Sequence, residues 1–164
     1  MELGRTRIMA MSVPAIYQQL VLDHSREPRR FGALAAPTHA AEGANPLCGD
    51  HLRVQLRVVD GRIVGYAFSG EACAIARAAA SMLGDRVAGL GVADAGGLGT
   101  AIAGIVRGES SDVAELGDLN ALAALVHYPS RQKCALLASA TLQAALAGAS
   151  GATTEHDHQR NPAA

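Results

Sequence analysis

An alternating stretch in the middle of the chain restricts its possible folds most strongly. Apolar and polar residues alternate from Leu52 to Val58, which is the period of a strand with one solvent-facing side. The pair Asp60-Gly61 follows and predicts a tight hairpin turn. A return strand is predicted over 62–69, with one apolar side formed by Val64, Tyr66 and Phe68. The centre of the chain is therefore predicted to be an antiparallel hairpin.

The apolar period changes from that of a strand to that of a helix after Gly70. A stripe at helical spacing is formed by Ile75, Ala79, Met82, Leu83 and Val87. Further helices are predicted from Ser12 to Glu27, after the glycine-rich stretch 89–99, around 119–126, and from Pro129 to Gly148. With a short extra strand near His39–Glu42, the sequence predicts an α+β fold in which a small antiparallel three-stranded sheet packs against a helical layer.

The chain has 164 residues, which suits one domain. We expect a flexible N-terminus over 1–12 without a secretory signal, a single domain over 13–148, and a disordered tail over 149–164. The formal net charge is −1, and no run of about 20 apolar residues is present. Neither nucleic acid nor a membrane is therefore expected as a partner.

The chain has three cysteines, Cys48, Cys73 and Cys134. An odd number argues against a disulfide framework and favours a cytoplasmic protein with reduced thiols. Each cysteine falls at the predicted end of a strand or helix, where the three thiols can converge. Three unrelated buried thiols remain the alternative interpretation.

Asp50 follows Cys48 by two positions, so both side chains project to the same side of an extended or turned backbone. Three thiolates and one carboxylate form a tetrahedral ligand set that suits Zn²⁺. A turn-capping role for Asp50 remains the alternative. Cys73 and Cys134 lie near predicted helix N-termini, where the helix dipole stabilises anions. We therefore expect Cys48 to keep the most basic and most nucleophilic thiolate.

Five separated motifs carry a resemblance to a known family. They are the segments 17–24 (YQQLVLDH), 45–50 (NPLCGD), 73–75 (CAI) ahead of 80–82 (ASM), 115–119 (ELGDL) and 131–137 (RQKCALL). In this order they resemble the SufU branch of the IscU/NifU-type family of iron–sulfur assembly proteins. The histidine that precedes the third cysteine in the IscU branch is replaced here by Lys133, and the long interval between Cys73 and Cys134 is similar to that of the SufU branch.

The resemblance implies a site and an activity. It implies zinc on Cys48, Asp50, Cys73 and Cys134, a sulfur-accepting role beside a SufS-type cysteine desulfurase, and later contact with downstream SUF assembly proteins. It further implies that Cys48 takes the sulfur and that Arg131 engages the partner. Two other functions stay open: a scaffold that assembles a [2Fe–2S] cluster on the same ligands, and a zinc module that only recruits partners.

Overall fold

The computed structural model describes the backbone of residues 13–154 and the side chains of residues 18–154. The segment 1–12 that we expect to be flexible, including Ser12, lies outside the described residues, as does the end of the chain from 155. The elements in chain order are helix α1 (Val13–Arg26), strands β1 (His39–Asn45), β2 (Asp50–Val59) and β3 (Arg62–Glu71), helices α2 (Ala74–Val87) and α3 (Val92–Val106), a 3-10 segment (Ala114–His127), helix α4 (Pro129–Leu146) and strand β4 (Gly151–Thr153).

The α+β class is confirmed, but the prediction of three strands is wrong. The sheet has four strands in the order β3-β2-β1-β4, with β4 parallel to β1 and the other pairs antiparallel. Helix α4 ends in a Schellman-type turn, in which Gly148 has φ 74° and the Ala149 N–H donates to the Ala144 carbonyl. This turn sends the chain back along the edge of β1. The expectation of disorder from 149 onward is therefore wrong for residues 151–154.

The hairpin between β2 and β3 follows the prediction at its turn but not along its whole length. Asp60 and Gly61 both have positive φ, as a type I′ turn requires. Val58 pairs with Ile63 whereas Arg57 pairs with Gly65, so Val64 is an extra residue that forms a β-bulge. The bulge inverts the alternation, which leaves Val64 exposed and buries Ile63. The prediction that Val64 shares the apolar side with Tyr66 and Phe68 is therefore wrong.

The helices cover one face of the sheet. Helix α4 packs across β1 and β2, and α2 packs beside it against β3. Gly43 allows the close approach of β1 to α4, because a Cβ there would collide with the hydroxyl of Thr141. The largest fully buried side chains come from both layers and include Leu52, Leu56, Ile63, Phe68, Met82, Leu83, Leu122 and Leu137. This packing fixes the start of α4 against the end of β1, where the candidate site lies.

Two of the remaining segments differ in detail from the prediction. Helix α3 begins at Val92, within the glycine-rich stretch and not after it. The predicted short helix is a 3-10 segment that bends at Gly117, where φ is 53°. Over residues 13–154, every helix is too short or too polar to cross a bilayer.

Candidate metal centre

The tip of the β1–β2 hairpin carries the first two candidate ligands. Asn45 and Asp50 form the last pair of the two strands, and residues 46–49 make the turn between them. Gly49 has φ 71°, a conformation that favours glycine. This turn leaves the Cys48 side chain exposed, while the carboxylate of Asp50 is buried. One ligand candidate is thus open to solvent and its neighbour is held inside.

The start of α4 supplies a third candidate ligand to the same point. The Sγ atoms of Cys48 and Cys134 and one carboxylate oxygen of Asp50 all lie within 4.8 Å of one another. The Sγ atom of the buried Cys134 lies 3.4 Å from the Cys48 sulfur, within hydrogen-bond distance. The structure therefore brings together three of the four predicted ligands, one from the hairpin turn, one from the start of β2 and one from α4.

Cys73 adjoins this group without belonging to its mutual 4.8 Å set. Cys73 is the N-cap of α2, and its backbone N–H donates to Asp50 Oδ1 over 2.8 Å. Its side chain also shares a hydrogen bond with the thiol of Cys134. Cys73 is thus in contact with two members of the group, one through its backbone and one through its sulfur.

Hydrogen bonding between thiols separates the acidities of two of these cysteines. The hydrogen bond from Cys134 lowers the pKa of Cys73 to about 6, against the raising effect of its partial burial. The reciprocal bond with Cys73, followed by burial, raises the pKa of the Cys134 thiol above its ordinary range. The expectation that a helix N-terminus makes both thiols acidic is therefore wrong for Cys134. Of these two thiols, the shared hydrogen bond favours the ionised form of Cys73 and the protonated form of Cys134.

The donor set suits zinc. Ligand atoms placed about 2.3 Å from a tetrahedral ion lie about 3.8 Å from one another. The Sγ atoms of Cys48 and Cys134 lie 3.4 Å apart, which is close to this value. A carboxylate beside thiols is also a ligand combination that Zn²⁺ accepts. The residues present therefore fit the ion that the resemblance implies.

Asn45 and Thr154, which the sequence analysis does not assign to the site, form hydrogen bonds behind its ligands. The side-chain amide of Asn45, fully buried at the end of β1, lies 3.5 Å from both Asp50 Oδ2 and Cys134 Sγ. Thr154, directly after β4, donates its hydroxyl to Asn45 Oδ1 over 3.1 Å. The position of Asn45 within the NPLCGD motif is the sequence signal that could have identified it as part of the site. No periodicity marked Thr154, because β4 has only three residues.

An apolar groove runs beside the centre, and Arg131 lies on its rim. The groove has a volume of about 860 Å³ and is lined by α1, the first turn of α2, the end of the 3-10 segment and the start of α4. Ile75, Leu125 and Tyr128 contribute to its apolar wall, and Tyr128 is exposed over 59% of its surface. Arg131 is exposed, and within residues 18–154 its guanidinium makes no ion pair.

His24, for which we predict no ligand role, takes part in a separate polar contact. It is buried, its Nδ1 lies 2.7 Å from the Ser81 hydroxyl, and its Nε2 lies 3.6 Å from Asp118. These contacts connect α1, α2 and the 3-10 segment. His24 therefore ties helices together and does not face the cysteines.

Comparison with known proteins decides the family. The profile of the NifU-like N terminal domain matches residues 16–135, which include all three cysteines. The chain belongs to this family. The match begins within α1 and ends one residue after Cys134, so it contains each of the residues of the candidate centre except Thr154.

Curated relatives cover most of the chain at similar identity. The zinc-dependent sulfurtransferase SufU of Bacillus subtilis is 33% identical over 142 residues, which are 85% of this chain and 95% of the relative. The iron–sulfur cluster assembly scaffold protein IscU of Thermotoga maritima is 33% identical over 131 residues, which are 80% of this chain and 92% of the relative. Sequence identity therefore does not separate the two branches.

Solved structures share the fold. FiSufU from Fervidobacterium islandicum, described as an iron–sulfur cluster assembly scaffold for the SUF system, has a TM-score of 0.74 and 26% identity, covering 78% of this chain and 94% of its own. A NifU-like N-terminal protein from Brucella abortus has a TM-score of 0.75 and 22% identity, covering 84% and 96%. The second likeness concerns the fold alone.

Proposed function

We propose that this chain is a zinc-dependent sulfurtransferase of iron–sulfur cluster biogenesis, which accepts persulfide sulfur from a SufS-type cysteine desulfurase. The observation that carries the proposal is the pairing of an exposed Cys48 thiol with a buried Cys134 thiol and a buried Asp50 carboxylate in one group. A group that only stabilises the fold has no need of a solvent-exposed ligand. The 33% identity to a protein named as a zinc-dependent sulfurtransferase supports the same function.

Cys48 is the residue that we propose to receive the sulfur. Its thiolate attacks the outer sulfur of the partner's cysteine persulfide, and a new sulfur–sulfur bond forms on Cys48. The bond between the two sulfurs of the partner breaks, and the partner's cysteine leaves as a thiolate. Cys48 then carries the persulfide, and no external oxidant or reductant is required.

The residues proposed to hold Zn²⁺ are Cys48, Asp50, Cys73 and Cys134. When bound, the ion supplies positive charge that keeps the cysteine ligands deprotonated at neutral pH. The chain contributes the backbone N–H of Cys73, which orients Asp50 Oδ1, and the α4 packing that keeps Cys134 buried. These contacts hold three ligands still while the loop residue Cys48 faces the solvent.

Arg131 and the apolar groove are proposed as the contact surface for the desulfurase. The groove includes Ala74 and Ile75, which directly follow Cys73, and Arg131, three residues before Cys134. A partner that fills the groove is therefore brought next to the centre. The Arg131 guanidinium, which makes no ion pair with the side chains of residues 18–154, favours a carboxylate on the partner.

A [2Fe–2S] scaffold on the same ligands is the second candidate. Its support is the IscU of Thermotoga maritima, whose identity of 33% equals that of SufU. Lys133 favours the sulfurtransferase, because a lysine ammonium cannot replace the imidazole that precedes the third cysteine in the IscU branch. Protein purified without oxygen separates the two candidates, since a cluster gives visible colour and zinc gives none.

The proposed activity is tested by following sulfur onto the chain. The full chain is incubated anaerobically with a SufS-type desulfurase and cysteine, and its mass and the alanine released are measured. We expect one added sulfur atom on Cys48 and faster alanine release, both absent in Cys48→Ala. Leu47→Ala, which changes the exposed neighbouring residue, is the control and should still gain sulfur. Undiminished sulfur transfer to Cys48→Ala would refute the assignment.

A further inference from the structure

The side chain of Asn45 is fully buried and faces the candidate centre. Its Nδ2 lies 3.5 Å from Asp50 Oδ2 and 3.5 Å from Cys134 Sγ. An amide nitrogen carries two N–H groups, so one nitrogen can donate to both acceptors. Asn45 therefore connects a ligand on β2 with a ligand on α4.

The orientation of this amide is set by its surroundings. A carboxylate accepts hydrogen bonds and cannot donate them, so the amide nitrogen and not the oxygen must face Asp50. The oxygen of Asn45 then points the other way, where it accepts the Thr154 hydroxyl over 3.1 Å. Each polar atom of the Asn45 side chain is thus used, and turning the amide over would set its oxygen against the Asp50 carboxylate.

Thr154 is itself held in place by the sheet. Strand β4 pairs in parallel with β1 over Glu42–Ala44, and the Thr154 N–H donates to the Ala44 carbonyl over 3.2 Å. The Thr154 side chain is 5% exposed. The hydroxyl that orients Asn45 therefore comes from a segment 20 positions beyond Cys134, outside the matched family region.

We propose that Asn45, fixed by Thr154, is the positioning residue of the metal centre, and that strand β4 is consequently part of the metal site. This inference rests on the proposed function, because it takes Asp50 and Cys134 as zinc ligands. The amide donors hold these two ligands at one point before the ion arrives. Zinc binding then costs less ordering of the ligands than it would in a chain without β4.

Hydrogen bonds to ligands affect metal affinity strongly. Loss of such a contact typically lowers affinity by about 10- to 100-fold. Asn45→Ala removes both donors, so we expect a loss of about 10- to 100-fold. Thr154→Val keeps the shape of the side chain but removes the hydroxyl that orients Asn45, so we expect about tenfold. Thr154→Ser keeps the hydroxyl and should retain the affinity of the natural chain.

The test measures the Zn²⁺ affinity of the full chain by competition with a chromophoric chelator at fixed pH. The geometry of the site is followed in the Co²⁺ complex by its thiolate charge-transfer absorption. Ser139→Ala is the control for Thr154→Val. The Ser139 hydroxyl is also buried, but it donates to the Leu136 carbonyl within α4 and not to a residue of the centre. Urea unfolding of each metal-free protein gives the stability separately.

The expected result is weaker Zn²⁺ binding and an altered Co²⁺ spectrum in Thr154→Val, with Thr154→Ser and Ser139→Ala unchanged. If Asn45→Ala does not fold, the comparison of Zn²⁺ affinity between Thr154→Val and Thr154→Ser still tests the inference. Unchanged Zn²⁺ affinity in Thr154→Val, with or without a loss of stability, would overturn the inference while leaving the proposed function intact. A natural chain that binds no Zn²⁺ would overturn both.

Discussion

The exposed thiol of Cys48 lies 3.4 Å from the buried thiol of Cys134, although 86 positions of sequence separate the two residues. One sulfur belongs to a hairpin turn at the surface, and the other belongs to a helix that packs into the core. The two can therefore be changed with different effects on stability and activity. This asymmetry is what a sulfur acceptor requires, since one atom must be reachable while its neighbours stay fixed.

Replacing each of these cysteines in turn should separate stability from activity. In the metal-free chain, Cys48→Ala should change the free energy of unfolding by less than about 0.5 kcal/mol, because the side chain is exposed. Cys134→Ala should cost about 1 kcal/mol or more, because it leaves a gap in a fully buried position. Urea unfolding with chelator and reductant present measures both. Equal losses of unfolding free energy in the two variants would contradict the exposure of Cys48 and the burial of Cys134.

The acidity of Cys73 should be visible in the metal-free chain. The hydrogen bond from Cys134 lowers the pKa of Cys73 from 9.0 to about 6. A folded-state pKa below the unfolded value stabilises the fold above the unfolded pKa, and this stabilisation is lost as the pH falls through about 6. Thiolate absorption in the ultraviolet should thus rise near pH 6 and vanish in Cys73→Ala. A first thiolate appearing only in the ordinary range of free cysteine would contradict the shared hydrogen bond.

Arg131 should affect partner engagement and leave metal binding unchanged. Arg131→Ala removes the exposed cation at the groove, so the desulfurase concentration for half-maximal stimulation should rise by about tenfold at low salt and less at high salt. Arg57→Ala is the control, because Arg57 is exposed on the sheet and does not line the groove. A response of Arg57→Ala equal to that of Arg131→Ala would indicate a general charge effect and not a local contact.

Gly43 should tolerate no side chain. Gly43→Ala places a Cβ against the Thr141 hydroxyl and close to Leu137, so β1 and α4 must separate. Overpacking of this kind typically costs about 1–3 kcal/mol of unfolding free energy. Because Asn45 and Cys134 lie on the two elements concerned, Zn²⁺ affinity should fall as well. Urea unfolding and chelator competition test the two effects, and an unaffected stability would disprove the close approach.

Gly97 should respond in the opposite way. It lies in the interior of α3, it is exposed, and a Cβ there meets no atom within 4 Å apart from its own turn of helix and its chain neighbours. Gly97→Ala should therefore raise the free energy of unfolding by about 0.5–1 kcal/mol through helix propensity alone. Zn²⁺ affinity should stay at its natural value. A destabilised Gly97→Ala protein would show that α3 is packed differently.

The hairpin and the helical layer were predictable because their signals are local. Alternation from Leu52 to Val58 and the Asp60-Gly61 turn specify β2 and the start of β3 without reference to the rest of the chain. The bulge at Val64 was not predictable, because the register depends on how Ile63 and Tyr66 pack against the helices. Strand β4 was missed because three residues show no period, and its pairing depends on the free edge of β1.

The candidate site was predicted from its chemistry and not from its geometry. Three cysteines and Asp50 suggested a metal, and the resemblance supplied the ligand set. The support from Asn45 could not be read from the sequence, because it depends on the distance between β1 and α4. The raised pKa of Cys134 was likewise missed, because burial and neighbouring thiols outweigh its position near a helix start.

X-ray absorption at the zinc edge, on protein purified without oxygen, gives the number and kind of the metal's neighbours. We expect about one zinc per chain with three sulfur neighbours at about 2.3 Å and one oxygen at about 2.0–2.2 Å. The sulfur count should fall by one in Cys48→Ala, Cys73→Ala and Cys134→Ala alike. A zinc-free chain, or zinc surrounded only by nitrogen and oxygen, would contradict the proposed zinc site.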